Sequence, residues 1–536
     1  MKGIAAGAAA GAIAAPALAD ETAPAASAKH TWDVAPDPVD DADLVATYDC
    51  DVCVVGLGNA GVNAVYGAAQ SGAKVVAIER SVAFTCAGAA FCGLNTKPMA
   101  EAGGEPIDRN LLVRTIMQYS NYKNNQRLVN NWADNVDRVV DDLWEMSKDT
   151  EAGAFWFGGG GHIDPDPFYN EFPTHFFNTT WKIPLFSKML DYAVQETGSE
   201  ILYETPIYQL VKDGDRVTGV IAESPDGYIK INAANGVIIA TGDYQGNDEM
   251  VDAWCPSIRA VHGTTWPTQA PDINDGGGIL AGLWAGGAVQ RSTHAPMIHP
   301  IYDGGWLFTC GFLRVNRYGL RFGNENLPQA TLSNAIMNAP GHEVWTIFDA
   351  NFAEQLPEMS YNTQSIRTGA GPFYTLPFLD ALPSDWTDEQ YLEYSIEKGQ
   401  AFKADTLEEL AELIGVDKEA FVATVARYNE LVEVGEDLDF GKDPADLKPI
   451  AQAPFYASHC VAQLLCMTSG LSIDEHYRVL DADDYPIEGL YAVGNASGNF
   501  YANDYPVPCQ GNSTSRCIVQ GRCCGEAVGT GKLPHA

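Results

Sequence analysis

The stretch from Cys50 to Arg80, CDVCVVGLGNAGVNAVYGAAQSGAKVVAIER, restricts this chain more than any other. An apolar run leads into Gly56-Leu57-Gly58-Asn59-Ala60-Gly61, an Ala-rich segment of helical character follows, and a second apolar run ends on Glu79 and Arg80. This order of strand, tight turn, helix and strand is the unit that binds a dinucleotide. Gly56 lets the chain turn sharply, Gly58 lets backbone approach a pyrophosphate, and Gly61 lets helix pack on strand. The helix start at Asn59 and Ala60 offers free N–H groups and the positive end of a dipole to the phosphates. Glu79 is placed to accept both ribose hydroxyls, with Arg80 beside it as a further cofactor contact. A lone GxGxxG also occurs as an ordinary turn, and here the strand before it and the acid after it separate the two cases.

Two more apolar runs end in glycine: Gly236-Val-Ile-Ile-Ala-Thr241-Gly242 and Gly489-Leu-Tyr-Ala-Val-Gly494, the latter followed by Asn495. Both read as buried strands, and Asp275-Gly-Gly-Gly278 lies between them. Neither opens a second GxGxxG, so the sequence offers no separate NAD(P)H site. The spacing of these segments resembles the FAD domain of the fumarate reductase and succinate dehydrogenase flavoprotein family, in its exported branch, over about residues 48 to 530. Val315-Asn-Arg-Tyr-Gly-Leu-Arg-Phe-Gly-Asn-Glu325 looks like that family's cap signature, and Thr406 to Lys442 like its helical segment. The resemblance implies an α/β fold, a Rossmann-type FAD-binding domain interrupted by a smaller α+β cap. The expected division is 1–45 export signal and linker, 46–295 first part of the FAD domain, 296–445 cap, and 446–536 the remainder of the FAD domain. It also implies FAD as cofactor, with Thr241, Gly242, Asp275, Gly494 and Asn495 joining the first glycine turn as its contacts. Electrons would come from an external redox partner such as a membrane cytochrome.

Charge narrows the partners. Seventy Asp and Glu against 32 Lys and Arg leave a net charge of −38, which repels a phosphate backbone and excludes a nucleic-acid partner. From Gly3 to Ala19 the chain is mostly Ala and Gly and ends in Ala17-Leu18-Ala19 before Asp20, the small-residue pattern of a cleaved export signal. A periplasmic or cell-envelope location is therefore expected, with no integral membrane span, since nothing later is long and apolar enough.

A flavin moves hydride between its N5 and a carbon, and an alkene accepts hydride only when a neighbouring group is polarised and a proton reaches the other carbon. The family resemblance implies arginines and histidines that clamp two carboxylates, and this chain departs from that set. The adjacent histidines are replaced by Leu465 and Cys466, the proton-donating arginine by Gln329, and a substrate-binding arginine by Tyr505 followed by Pro506. His299 matches the remaining family histidine once a gap is allowed. Loss of cations argues against a dicarboxylate and favours a small neutral substrate, because an unpaired buried carboxylate is costly. The Tyr-Pro pair is similar to that of the 3-ketosteroid dehydrogenases, where a tyrosine hydrogen-bonds the ring ketone. Tyr505 would donate neutrally to a ketone or lactone oxygen, though such a tyrosine is also an ordinary core residue.

Tyr505, His299 and Gln329 are thus the candidate catalytic positions of a reductase of a bulky neutral enone or unsaturated lactone, similar to reductases of cardiac glycosides such as digoxin. Three other readings remain open: a reductase of an unsaturated carboxylate of the fumarate or urocanate type, held by Arg314, Arg317, Arg321 or Arg516; a 3-ketosteroid dehydrogenase; and an electron-transfer flavoprotein. Arg317 and Arg321 read more simply as surface charges of a hairpin.

Twelve cysteines are many for a flavoprotein. Cys50 and Cys53 read as core thiols. Cys86 and Cys92 fall in a Gly-rich loop after Glu79, and Cys517 and Cys524 share a helix face, with Cys509 upstream. No C-x2-C-x2-C run is present, so a [4Fe-4S] cluster would have to be assembled from separate segments, with Cys86, Cys92, Cys509 and Cys517 as candidate ligands against the alternative of buried thiols or disulfides. CxxCH, the haem attachment motif, does not occur.

Overall fold

The computed structural model describes residues 30–156, 172–177, 182–261, 274–302, 311–327, 329–359, 386–506 and 509–532. The expected export segment at 3–19 lies outside these residues. Among the described residues no helix is long and apolar enough to cross a membrane.

The chain is α/β and is organised by an eight-stranded sheet. Its centre is Leu44–Val55, which pairs in parallel with Val75–Ile78 on one side and Gly227–Ile239 on the other. Val75–Ile78 carries Glu200–Leu202, and Gly227–Ile239 carries Pro486–Ala492, both also in parallel. The last four residues of Leu44–Val55 and all of Val75–Ile78 are buried, as continuous apolar runs in a parallel sheet covered on both faces should be. Register brings the carboxyl ends of three strands together, with Val55 beside Ile239 and Ile239 beside Ala492. Backbone hydrogen bonds carry this edge one residue further, from Ala240 N to Val55 O and from Val493 N to Ile239 O. Ligands of open α/β sheets bind at such an edge.

A second sheet of five strands is built around Phe455–Met467, which pairs with Pro296–Tyr302, Glu343–Phe348 and Ala401–Ala404; Leu313–Asn316 closes the far side on Glu343–Phe348. The central strand lies beyond residue 445, so this sheet draws on both sides of that position. Two apolar clusters of its own, around Phe348 and Phe421, are distinct from the main core. Arg317 is exposed on the hairpin after Leu313–Asn316, as expected, but Arg321 is not. Its side chain is 6% exposed and grips Glu325 and Asp437 at 2.8 and 2.7 Å, with Lys442 3.5 Å from the same Glu325. The surface reading and the carboxylate-clamp reading of Arg321 both fail because its two acids already occupy it.

What fastens the main sheet together is a seam without side chains. Helix Asn59–Gln70 lies against the C-terminal helix Asn512–Gly529. A Cβ placed on Gly521 would sit 2.1 Å from Ala60 O, one on Gly525 2.1 Å from Ala64 O, and one on Gly529 2.9 Å from Ala68 Cα. In the other direction a Cβ on Gly67 would meet Arg522 O at 2.5 Å. The two backbones touch over roughly two turns, and only hydrogen fits between them. We predict that Gly525→Ala, which must push the helices apart, lowers unfolding stability by about 1–3 kcal/mol in a urea titration; an unchanged midpoint would contradict the seam.

Candidate active site

The first glycine turn behaves as its spacing demands. Gly56 has φ +92°, and a Cβ there would lie 2.8 Å from Ala240 O; a Cβ on Gly61 would lie 1.8 Å from Gly56 O. Gly58 differs, because a Cβ there would meet protein no nearer than 3.8 Å. Protein packing therefore does not require glycine at 58, and the space is left for whatever enters the turn. Helix Asn59–Gln70 begins without a side-chain cap, so the N–H groups of Asn59, Ala60 and Gly61 remain available to an anion.

Glu79 is buried and its carboxylate accepts from Leu57 N at 2.8 Å and Ser81 N at 3.0 Å. Each oxygen keeps a second lone pair for a ribose hydroxyl. Arg80 pairs with Asp275 at 2.7 Å, and Asp275 accepts from Gly277 N at 3.0 Å, which ties the second strand to the triple-glycine turn. Both partners are exposed enough for this pair to add little stability. Thr241 has a buried hydroxyl with no partner among the described residues, and Gly242 follows at φ +79°. Gly494 has φ +65°, and a Cβ there would lie 2.8 Å from the Ala60 Cβ, so the third glycine turn closes directly on the first. Asn495 accepts from Arg516 Nη2 at 2.5 Å. An open helix terminus, an acid with spare lone pairs and an orphaned hydroxyl fit the ADP half of FAD, and these residues would hold it.

Sequence reasoning missed Lys182. Its buried amine donates to the carbonyls of Cys86 and Ala87, at 2.8 and 3.2 Å, and to that of Gly88. Asn59 Nδ2 donates to the same Ala87 O at 2.8 Å. The loop after Glu79 is thereby pinned to the start of the nucleotide helix. Burial pulls the amine down to about 8. An isolated lysine between an undistinguished loop and a helix gives no sequence signal for this role.

The three candidate catalytic positions lie on elements that meet. His299 is on strand Pro296–Tyr302, opposite Gln463, and Gln329 opens helix Gln329–Asn338. Ser333 of that helix donates to Ile298 O at 3.0 Å, and Asn334 donates to Asp504 at 2.6 Å, beside Tyr505. Leu465 and Cys466 lie on the neighbouring strand, near its bulge opposite Met297. Tyr505 is buried, and its hydroxyl accepts from Ser513 N at 3.1 Å in the first turn of the C-terminal helix. The oxygen is fixed by that bond while its proton remains available for donation. Burial pushes the phenol well above its ordinary value, so it stays neutral. Asp504 accepts from Tyr505 N at 2.8 Å, and burial pushes it up to about 6. Asp243, just after Gly242, is pushed up by burial to about 7 although it accepts from Gln245 N and Met467 N. Neither acid stood out in the sequence.

The described cysteines form no ligand set. Among the described residues no three His, Cys, Asp or Glu side chains come together as a group that could hold a metal ion. Cys86, Cys92 and Cys509 are buried, and desolvation raises their thiols. Cys517 lies 3.8 Å from Asn495 Oδ1. The eleven described cysteines are all free thiols, with Cys50 and Cys53 buried in the first strand as expected.

The profile of the family described as FAD binding domain matches residues 51–508. The chain belongs to that family. Within it, the chain is 29% identical over 352 residues to NADH:acrylate oxidoreductase of Vibrio harveyi, covering 64% of this chain and 32% of that one. It is 31% identical over 354 residues to 4-oxocyclohexanecarboxylate 2-dehydrogenase of Sinomonas cyclohexanicum, covering 59% and 54%. The chain thus spans between a third and somewhat over half of the length of these relatives. The fold is shared with the open conformation of a flavocytochrome c3 fumarate reductase, at TM-score 0.63 and 22% identity over 95% of this chain and 83% of that one. It is also shared with 3-ketosteroid-Δ4-(5α)-dehydrogenase of Rhodococcus jostii RHA1 in complex with 4-androstene-3,17-dione, at TM-score 0.67 and 20% identity over 90% and 97%.

Membership of the FAD-binding family makes FAD the cofactor that the glycine turn and Glu79 would hold. Glu79→Ala leaves the Leu57 and Ser81 N–H groups without their acceptor, at about 1–3 kcal/mol each if both stay buried. We predict a purified variant with a markedly lower flavin-to-protein absorbance ratio. Full yellow occupancy would remove Glu79 from cofactor binding.

Proposed function

We propose that this chain is an FAD-dependent oxidoreductase of carbon–carbon bonds that reduces an activated C=C bond in a bulky neutral enone or unsaturated lactone. The observation that carries this reading is the Tyr505 hydroxyl, oriented by Ser513 N–H and kept neutral by burial. Such a donor polarises a carbonyl without needing a counter-charge on the substrate. Acrylate, fumarate, 4-oxocyclohexanecarboxylate and 4-androstene-3,17-dione, named with the relatives and fold neighbours, each place a carbon–carbon bond next to a carbonyl or carboxyl group. The flavin would supply hydride exchange with carbon. Tyr505 would bind the carbonyl oxygen and stabilise the negative charge that grows there. Asp504, adjacent to Tyr505 and tied to the helix that Gln329 opens, would hold the proton for the other carbon. An external redox protein would supply the electrons.

Under chemically supplied electrons, a panel of an unsaturated lactone, a 3-ketosteroid enone, fumarate and urocanate should show turnover with the neutral compounds. Tyr505→Phe should lower that turnover by about 100-fold or more while FAD stays bound. Preferred reduction of fumarate or urocanate, or an undiminished phenylalanine variant, would overturn the assignment.

Asp504 gives the pH dependence a sign. Its carboxyl is pushed up to about 6, so it is protonated below that value and loses the proton above it. Turnover in the reductive direction should fall as pH rises through about 6. Asp504→Asn should be slower and should lack that limb; a variant with the parent profile would exclude Asp504 as the acid.

A further inference from the structure

Four arginines and lysines of the described residues are buried as cations inside the protein with acids at hand. Arg321 has Glu325 and Asp437, Lys442 has Glu325, Arg522 has Asp142, and Arg314 lies within the field of Glu325. Arg516 is 0% exposed and has no carboxylate partner among the described residues. Its Nη1 donates to Thr468 O at 3.2 Å and its Nη2 to Asn495 Oδ1 at 2.5 Å, both neutral acceptors. Its Nε–H has no acceptor among the described residues. The rings of Tyr501 and Phe500 stand 4.9 and 5.7 Å from its Cζ and offer some compensation through their faces. A guanidinium does not shed its proton on burial, so a full positive charge is held here with no anion among the described residues, an arrangement that costs several kcal/mol unless a ligand completes it.

Its position says which ligand. Asn495 belongs to the glycine turn at the carboxyl end of Pro486–Ala492, in contact with Ala60 of the nucleotide helix. Arg516 is also in the first turns of helix Asn512–Gly529, whose start carries no side-chain cap and adds the positive end of its dipole. We propose that Arg516 is the counter-charge of the flavin, stabilising the negative charge that collects at the N1–C2=O edge when the ring takes up two electrons and one proton. The oxidised ring is neutral and gains little from Arg516, whereas the reduced ring gains a charge pair in a dry site. The residue therefore favours the reduced cofactor and raises its potential. It is a positioning and electrostatic residue for the cofactor, independent of what the substrate is.

Sulfite reports this charge without any substrate. Its sulfur lone pair forms a bond to N5 of the oxidised flavin, the displaced electron pair ends at N1–C2=O, and the flavin absorbance bleaches. In the FAD-loaded full chain, Arg516→Gln should bind sulfite at least about tenfold more weakly and show a lower two-electron potential by about 30 mV or more, the equivalent of that factor. Arg516→Lys, which keeps the charge, should fall between this variant and the parent. Unchanged sulfite affinity and potential in a fully loaded glutamine variant would overturn the proposal. So would a variant whose only change is a higher KM for an unsaturated carboxylate, since Arg516 would then be a substrate clamp. Should the glutamine variant lose its flavin, the lysine variant decides: sulfite affinity close to the parent supports the charge as the operative feature, and a tenfold loss overturns it. None of these readouts depends on Tyr505 or on enone turnover, so this inference and the substrate reading fail separately.

Discussion

Direct contact between two helix backbones governs the rest of this molecule. Gly521, Gly525 and Gly529 lie on carbonyl or Cα atoms of Ala60, Ala64 and Ala68, with no side chain between them. Because the helices are that close, the start of the C-terminal helix comes to the glycine turn of the first strand, and Gly494 fits between them against Ala60. Three glycine turns separated by hundreds of residues then share one strand edge. A methyl group anywhere along the seam would separate the first glycine turn from the segment that carries Tyr505, Ser513 and Arg516.

Charge is distributed unevenly across the two sheets. In the smaller one, Arg321 is enclosed by Glu325 and Asp437 and Lys442 lies beside them, a buried network whose members satisfy one another. Acids there lie low, with Asp437 held at about 2 by Arg321 and neighbouring N–H groups despite its desolvation. Around Tyr505 the pattern is reversed: Asp504 and Asp243 are raised, the phenol is neutral, and Arg516 is a cation with no carboxylate partner among the described residues. A site of this kind disfavours a second negative charge near its acids and leaves one positive charge for an anion of its own.

The strand, turn and helix of residues 50–80 were readable because all their determinants are local: an apolar run, three glycines at fixed spacing and one acid. Glu79 could be singled out on the same basis, from its place after a recognisable strand, whereas Tyr505 stood out only through the family resemblance. Long-range facts were not readable. Gly521, Gly525 and Gly529 repeat at helical spacing, yet nothing local says that their partner is a helix more than 400 residues earlier. Arg321 looked like a surface charge because its second acid, Asp437, is 116 residues away. Lys182 answers three carbonyls of a loop that precedes it by almost a hundred residues. Arg516 is distinguished by having only neutral acceptors among the described residues, which only the packed structure reveals. The number of cysteines left a cluster and buried thiols both open, and among the described residues they are free thiols that form no metal-holding group.

The central claim is that the shared strand edge seats FAD with its pyrophosphate at Asn59–Gly61 and leaves a carbonyl-binding place at Tyr505. An experimental structure of the flavin-loaded chain with an unsaturated ketone tests it most directly. The account predicts phosphate oxygens on those N–H groups and the ketone oxygen within hydrogen-bond distance of the Tyr505 hydroxyl. A pyrophosphate seated elsewhere, or a ketone turned away from Tyr505, would contradict it.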